Sequence, residues 1–210
     1  MTQPGDIALT FDDGPDPVWT PRVLDALGRA GALATFFVVA PLAERYPGLL
    51  RRMADEGHGV AFHCSRHARH DRLSAEEILS DATEGLRSLR ALGHRVGDWR
   101  APWGVVTPDT EAAAAKLGLR LVGWTADSED WRGGDAGVML ARLWPGIGPG
   151  AIVLMHDAVG PGATRGGCEQ TVALVTPLVE AAHSRGLRTV IAGDLAGNLP
   201  PGNPQNVKGV

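Results

Sequence analysis

A subset of the titratable side chains of this 210-residue chain gathers in a few short motifs. Asp12 and Asp13 are adjacent carboxylates, and His63 and His67 stand four residues apart. Arg100 opens Arg100-Ala101-Pro102-Trp103-Gly104; Asp127 and Asp130 precede Trp131; and Leu154-Met155-His156-Asp157 closes an apolar run. Two histidines and one carboxylate make a divalent-metal ligand set with open positions, suited to zinc or to octahedral cobalt, nickel or iron. On one helical turn, His63 and His67 would face the same side. Adjacent carboxylates on an extended chain point to opposite faces, so one can bind a metal while the other addresses substrate. A buried guanidinium such as Arg100 favours the ionised form of a carboxylate beside it. Each motif alone has a plainer reading. Asp-Gly-Pro is good turn chemistry, 127–131 can be an acidic loop, and a lone histidine at a strand end is more often structural. His70 reads as a solvated loop histidine rather than a fourth ligand. His58, His94 and His183 read as helix-end residues, where cationic side chains are favoured.

The elements that must position these groups alternate along the chain. Short apolar runs at 7–11, 34–39, 59–62, 96–100, 120–124, 151–155 and 187–191 predict seven strands. Helices are expected over 20–30, 41–56, 74–92, 108–117, 136–143 and 169–185. Thr20 is read as an N-cap with Pro21 at the first helical position, and Ser74 with Glu77 as a capping box. Phe36 to Val39 is apolar without alternation, as in a strand covered on both faces. Strand–helix alternation argues a parallel sheet, either a barrel or an open doubly wound sheet. No GxGxxG or Walker A motif follows a strand, so a nucleotide-binding version has no support. The motif residues all end or follow predicted strands, and in parallel folds those strand ends share one rim. That convergence is hard to explain as scattered surface charge.

Composition narrows the function further. The net charge is −4 and no basic patch stands out along the chain, so a nucleic-acid partner is not expected; the basic residues are nearly all arginine, with Lys116 and Lys208 the only lysines. Two cysteines do not make a disulfide scaffold. No apolar run is long enough to span a bilayer. The segment before Ile7 has no basic n-region and no long apolar h-region, which predicts a cytoplasmic protein. An export segment removed before this sequence begins would make it extracellular. Residues 1–198 are read as one domain and 199–210, rich in proline and glycine, as a loosely ordered tail.

Together, in order, these motifs resemble those of the NodB-homology polysaccharide deacetylases, carbohydrate esterase family 4. Thr10-Phe11-Asp12-Asp13-Gly14-Pro15 matches the first family motif in full, and Ala34-Thr35-Phe36-Phe37-Val38 the strand that follows it. His63 to His67 matches the second in its histidines, Arg100-Ala101-Pro102 the third, Asp130-Trp131 the fourth and Leu154-Met155-His156 the fifth. The resemblance covers about Asp6 to Ala192. It implies a distorted (β/α) barrel with fewer than eight strands, consistent with the seven predicted. It implies a divalent metal, zinc first, held by Asp13, His63 and His67. Asp12 would be the general base, oriented by Arg100. His156 would be the general acid, oriented and charge-stabilised by Asp130. The Trp103 backbone N–H would stabilise the oxyanion, and Trp131 and Leu154 would wall the acetyl pocket. The implied activity is removal of N-acetyl, or alternatively O-acetyl, groups from a carbohydrate.

The chain departs from the family at Cys64, where serine or threonine is usual, and at Trp103, where tyrosine or phenylalanine is usual. The Gly-rich segment 160–168 follows the fifth motif and could bring Cys168 to the same rim, leaving a Cys64–Cys168 bridge open. Three alternatives stay open at this stage: an amidohydrolase of a soluble metabolite, a catalytically silent carbohydrate-binding domain, and a non-haem iron oxygenase built on the same ligand set. The last leaves Asp12, Arg100 and His156 without work.

Overall fold

The computed structural model describes residues 5–195. The expected tail therefore lies outside the described residues. Eight strands, β1 (Gly5–Asp12), β2 (Thr35–Val39), β3 (Gly59–Cys64), β4 (Asp98–Trp99), β5 (Arg120–Leu121), β6 (Ala126–Asp127), β7 (Ile152–His156) and β8 (Leu187–Val190), form one parallel sheet. Seven run in the order β5-β4-β3-β2-β1-β7-β6, and β8 pairs with β1 off that path. β1 is long enough to serve two neighbours on one side: Gly5 to Ala8 pair with β8, and Ala8 to Asp12 with β7. The helices are α1 (Trp19–Ala30), α2 (Ala40–Arg45), α3 (Pro47–Asp55), α4 (Ala75–Ala91), α5 (Pro108–Leu117), α6 (Ala136–Leu143) and α7 (Glu169–Ser184). Among the described residues, no helix is long and apolar enough to cross a membrane.

The two-residue alternation of the strands sorts side chains into two layers. Ile7, Leu9, Phe11, Phe36, Val38, Phe62, Val153 and Met155 face the helices in the larger core. Ala8, Phe37, Ala61 and Ile152 pack inside the curl with Val122, Ala192 and Leu195. Continuing the inner register toward the strand ends brings Asp12, His63, Leu154 and His156 to one cavity. The parity that buries small residues at the base of the curl therefore delivers polar ones to its rim.

The sheet does not close. The expected strand 120–124 stops at Leu121, and the chain crosses to β6 and pairs with β7 instead (Ala126↔Val153, Asp127↔Leu154). This is the strand missing from the seven expected. At the seam, Val122 N–H still donates to the Trp99 carbonyl. Arg100 takes the Val122 and Gly123 carbonyls from Nε and Nη2, at 3.2 and 2.8 Å. A guanidinium thus substitutes for the strand pairing that the gap lacks.

Other expectations shift for local reasons. The helix expected over 41–56 breaks into α2 and α3, because Pro47 disfavours helical backbone at Tyr46, whose φ/ψ is −126/55°. α1 starts at Trp19, and Thr20 is not its cap. Asp16 accepts from the N–H groups of Val18 and Trp19, while the Thr20 hydroxyl accepts from Asp16 N–H and donates to Asp157. The Ser74–Glu77 capping box forms as expected.

Candidate active site

Asp13 sits just beyond β1 with φ 74°, left-handed backbone that costs a non-glycine residue energy and that aspartate tolerates better than most. The turn breaks the strand alternation, so Asp12 and Asp13 line the same cavity rather than opposite faces. Asp13 Oδ1 lies 3.3 Å from His63 Nε2 and 3.1 Å from His67 Nε2. One ligand atom from each residue lies within 4.8 Å of the others. The histidine pair is not helical: His63 lies in the last two residues of β3 and His67 in the loop beyond it, with ring centroids 5.1 Å apart. The spacing works because the strand exit folds back, not because a helical turn aligns the rings.

Hydrogen bonding supports a cation-binding role for this trio. His63 Nδ1 donates to the Arg100 carbonyl at 2.8 Å, so a neutral ring presents the Nε2 lone pair to the Asp13 carboxylate. Two acceptors at that separation need a proton or a cation between them. Asp13 Oδ1 and His67 Nδ1 are buried without hydrogen-bond partners among the described residues. Burial pushes the Asp13 carboxyl up, but the adjacent His63 and His67 rings outweigh it and hold it well below the usual range. Burial pulls His63 down, while the neighbouring Asp13 and Asp12 carboxylates raise it on balance. The donor set therefore fits a divalent metal.

Asp12 is held from the other side. Its Oδ1 accepts from Arg100 Nη1 at 2.8 Å, and the same nitrogen reaches Thr10 Oγ1 at 2.8 Å. Arg100 is 1% exposed and lies 4.1 Å over the Phe37 ring, so the pair is shielded from water. Across the cavity lining, His156 Nδ1 donates to Asp130 Oδ1 at 2.7 Å, which leaves Nε2 as the free ring nitrogen. Burial disfavours the imidazolium, but the Asp130 charge and hydrogen bond push the His156 pKa up to about 9. Burial would raise Asp130, yet His156 and Arg165 bring it down to about 2. At neutral pH this dyad is an ion pair.

The remaining predicted residues line the same opening, a cavity of about 270 Å³. Trp103 has φ 61° and sets its ring edge-on to His67 at 5.2 Å. Trp131 follows Asp130 in a short 3-10 turn, with the Arg132 guanidinium 4.7 Å over its ring, and Leu154 is 4% exposed. Asp127 also lines the cavity, its carboxyl pushed up by burial.

Three expectations are corrected and one is refined. His63 and His67 do not share a helix. His70 is not solvated: it is 3% exposed, its Nδ1 bonds Thr110 Oγ1 at 2.9 Å, and burial lowers its pKa to about 4. His58 stands at the end of α3 as read, its N–H donating to the Met53 carbonyl, but its ring is buried rather than solvated, with Nδ1 accepting from Ala34 N–H. Cys64 and Cys168 are both buried free thiols, so the bridge left open does not form. Sequence reasoning missed Trp124, which lines the cavity, and Arg165 and Thr171, which bind Asp130. A signal for Arg165 existed: it is the one charged residue in the Gly-rich stretch 158–168.

A model of the polysaccharide deacetylase family matches residues 1–122. A chitooligosaccharide deacetylase of Bradyrhizobium sp. (strain ANU 289) is 38% identical over 188 residues, covering 86% of this chain and 85% of that protein. This chain belongs to the polysaccharide deacetylase family. Another member, the peptidoglycan-N-acetylglucosamine deacetylase PgdA of Listeria monocytogenes, is 38% identical over 155 residues, 72% of this chain but 32% of that protein. The family fold is likewise matched by a family 4 carbohydrate esterase from Streptomyces lividans, solved with acetate. It has TM-score 0.82 and 27% identity, covering 95% of this chain and 98% of that one. As a polysaccharide deacetylase, the chain carries the first three motif clusters within the matched region and the last two, Asp130-Trp131 and Leu154 to His156, beyond it.

Proposed function

We propose that this polysaccharide deacetylase hydrolyses the N-acetyl group of an N-acetylglucosamine-type residue in an oligo- or polysaccharide. The observation that carries the reading is the division of labour in one cavity: Asp12 is bound to a guanidinium, Asp130 to an imidazolium, and Asp13, His63 and His67 stand between them in function. Asp13, His63 and His67 would hold a divalent cation, zinc by preference for this His/carboxylate set. Bound there, the cation would lower the pKa of water toward neutrality and polarise the acetyl carbonyl.

The chain's own residues do the rest. Asp12, with Oδ1 committed to Arg100, offers Oδ2 to take the proton from the attacking water. His156, protonated through Asp130, presents Nε2–H to the amide nitrogen and protonates the amine as it departs, because an amide nitrogen leaves poorly without a proton. Base and acid are thus held by separate partners, Asp12 by Arg100 and His156 by Asp130. The Trp103 N–H, on a backbone strained into the left-handed region, would donate to the oxygen as negative charge develops on it. Trp131 and Leu154 would enclose the acetyl methyl. Relatives that act on chitooligosaccharides and on peptidoglycan N-acetylglucosamine support the amino-sugar substrate.

The test is acetate release from N-acetylated chitooligosaccharides, peptidoglycan fragments, acetylated xylan and soluble N-acetylated sugars, with metal-stripped and zinc- or cobalt-loaded protein. Release from the amino-sugar glycans that requires metal and disappears in Asp12→Asn is expected. Release only from xylan or from small metabolites would overturn the substrate class, and release unaffected by Asp12→Asn would overturn the base.

A further inference from the structure

The loop after β7 makes contacts that a surface connection does not need. Gly160 approaches Asp13 so closely that a Cβ there would lie 1.8 Å from the carboxylate. Gly162 has φ 82°, and a Cβ would lie 2.6 Å from the Trp103 ring. Thr164 N–H and Oγ1 donate to the Trp131 and Arg132 carbonyls, both at 2.9 Å. Within six residues, one loop therefore touches the cation-ligand group, the Trp103 turn and the Trp131 turn.

Its one basic residue, Arg165, turns inward with a side chain only 6% exposed. Nη1 donates to Asp130 Oδ2 at 2.8 Å, and Nη2 donates to the His156 and Ala158 carbonyls, both at 3.0 Å. One planar group thus grips the side chain of one dyad member and the backbone of the other. Asp130 Oδ2 also accepts from Thr171 Oγ1 at 2.7 Å and from His156 N–H at 2.9 Å. With that oxygen saturated, only Oδ1 faces the imidazole. A buried guanidinium that fixes two bonded partners at once costs energy to desolvate, which a surface anchor would avoid.

We propose that Arg165 is a positioning residue for proton delivery, holding Asp130 and the His156 backbone in the geometry that aims His156 Nε2 at the leaving nitrogen. The loop's glycines let it reach that place while lying against Asp13 and Trp103. The proposal rests on His156 being the acid.

The leaving group separates positioning from mere structure. A chitooligosaccharide amide needs a proton to expel its amine; 4-nitrophenyl acetate expels a stabilised phenolate without one. Arg165→Gln, Thr171→Val and His156→Asn are assayed as zinc-loaded full chains on both substrates, with thermal melts alongside. For Arg165→Gln, kcat on the oligosaccharide should fall about 10- to 100-fold while KM stays within about threefold. The aryl ester rate should change by less than about threefold, and Arg165→Lys should recover part of the amide loss. Thr171→Val, which leaves the loop intact, should show the same split more weakly. Equal loss on both substrates, or no loss on the amide, overturns the proposal. If His156→Asn shows the split and Arg165→Gln does not, the positioning role alone fails. If His156→Asn loses both substrates equally, the acid assignment fails and the proposal with it.

Discussion

Replacing Arg100 should damage the fold and the site together, and the structure sets the scale. The guanidinium makes four hydrogen bonds, to Thr10 Oγ1, Asp12 Oδ1 and the Val122 and Gly123 carbonyls. Arg100→Met removes the partner of a carboxylate that is 4% exposed; breaking such a buried pair costs about 3–5 kcal/mol. It also orphans two seam carbonyls at about 1–3 kcal/mol each. The total, about 5 kcal/mol or more, is comparable to the whole stability of a typical domain. Arg100→Met should therefore be largely unfolded at 25 °C. Arg100→Lys keeps the charge but lacks the planar fork, so it should satisfy Asp12, lose at least one carbonyl and stay folded, less stable by about 2–4 kcal/mol. Urea unfolding reads both variants. A cycle with Asp12→Asn isolates the pair, with a coupling of about 2 kcal/mol or more expected. Full stability in Arg100→Met would refute the claim that this side chain stands in for strand pairing at the open seam.

Asp12→Asn should retain bound metal, measured by elemental analysis, while kcat falls by about 10²- to 10⁴-fold; parallel metal loss would contradict the base assignment. His67→Ala should weaken zinc binding in a chelator competition, and unchanged stoichiometry with unchanged affinity would contradict the ligand set. Asp130→Asn removes the main influence raising His156, so in an NMR titration the histidine should titrate well below about 9, and the alkaline limb of the rate profile should move to lower pH. The sign for stability follows. A histidine raised to about 9 when folded contributes stability that is present below its unfolded value near 6.5 and lost as pH rises through about 9. Asp130→Asn should flatten that loss.

What was legible before folding was local in cause. Ser74 and Glu77 form their capping box because both partners lie within one turn. The unbroken apolar run at Phe36 to Val38 marked a strand covered on both sides, and those residues face the helix core and the curl interior alternately. The first motif was legible for another reason: carboxylates following an apolar run on a glycine-proline turn narrow the chemistry by residue type alone. Where two local signals competed, reading the chain failed. Thr20 looked like a cap, but its hydroxyl is needed by the buried Asp157, and Asp16 caps the helix instead. Pro47 sat inside a helical pattern whose amphipathicity continues across it, and backbone sterics broke the helix there.

By itself, the sequence determined the candidate site residues and the rim on which they gather, because strand ends in a parallel fold share one side whatever the closure of the sheet. Only the tertiary structure decided how these residues pair. His63 and His67 converge through a loop rather than a helix; Asp13 joins Asp12 through left-handed backbone; His70 goes to the core instead of solvent. Arg100 closes a seam that no pattern within one segment could reveal, since the missing hydrogen bonds belong to residues more than twenty positions away. Arg165 reaches Asp130 over thirty-five positions. Such pairings depend on desolvation and on the distance between elements, and those quantities exist only after the chain has folded.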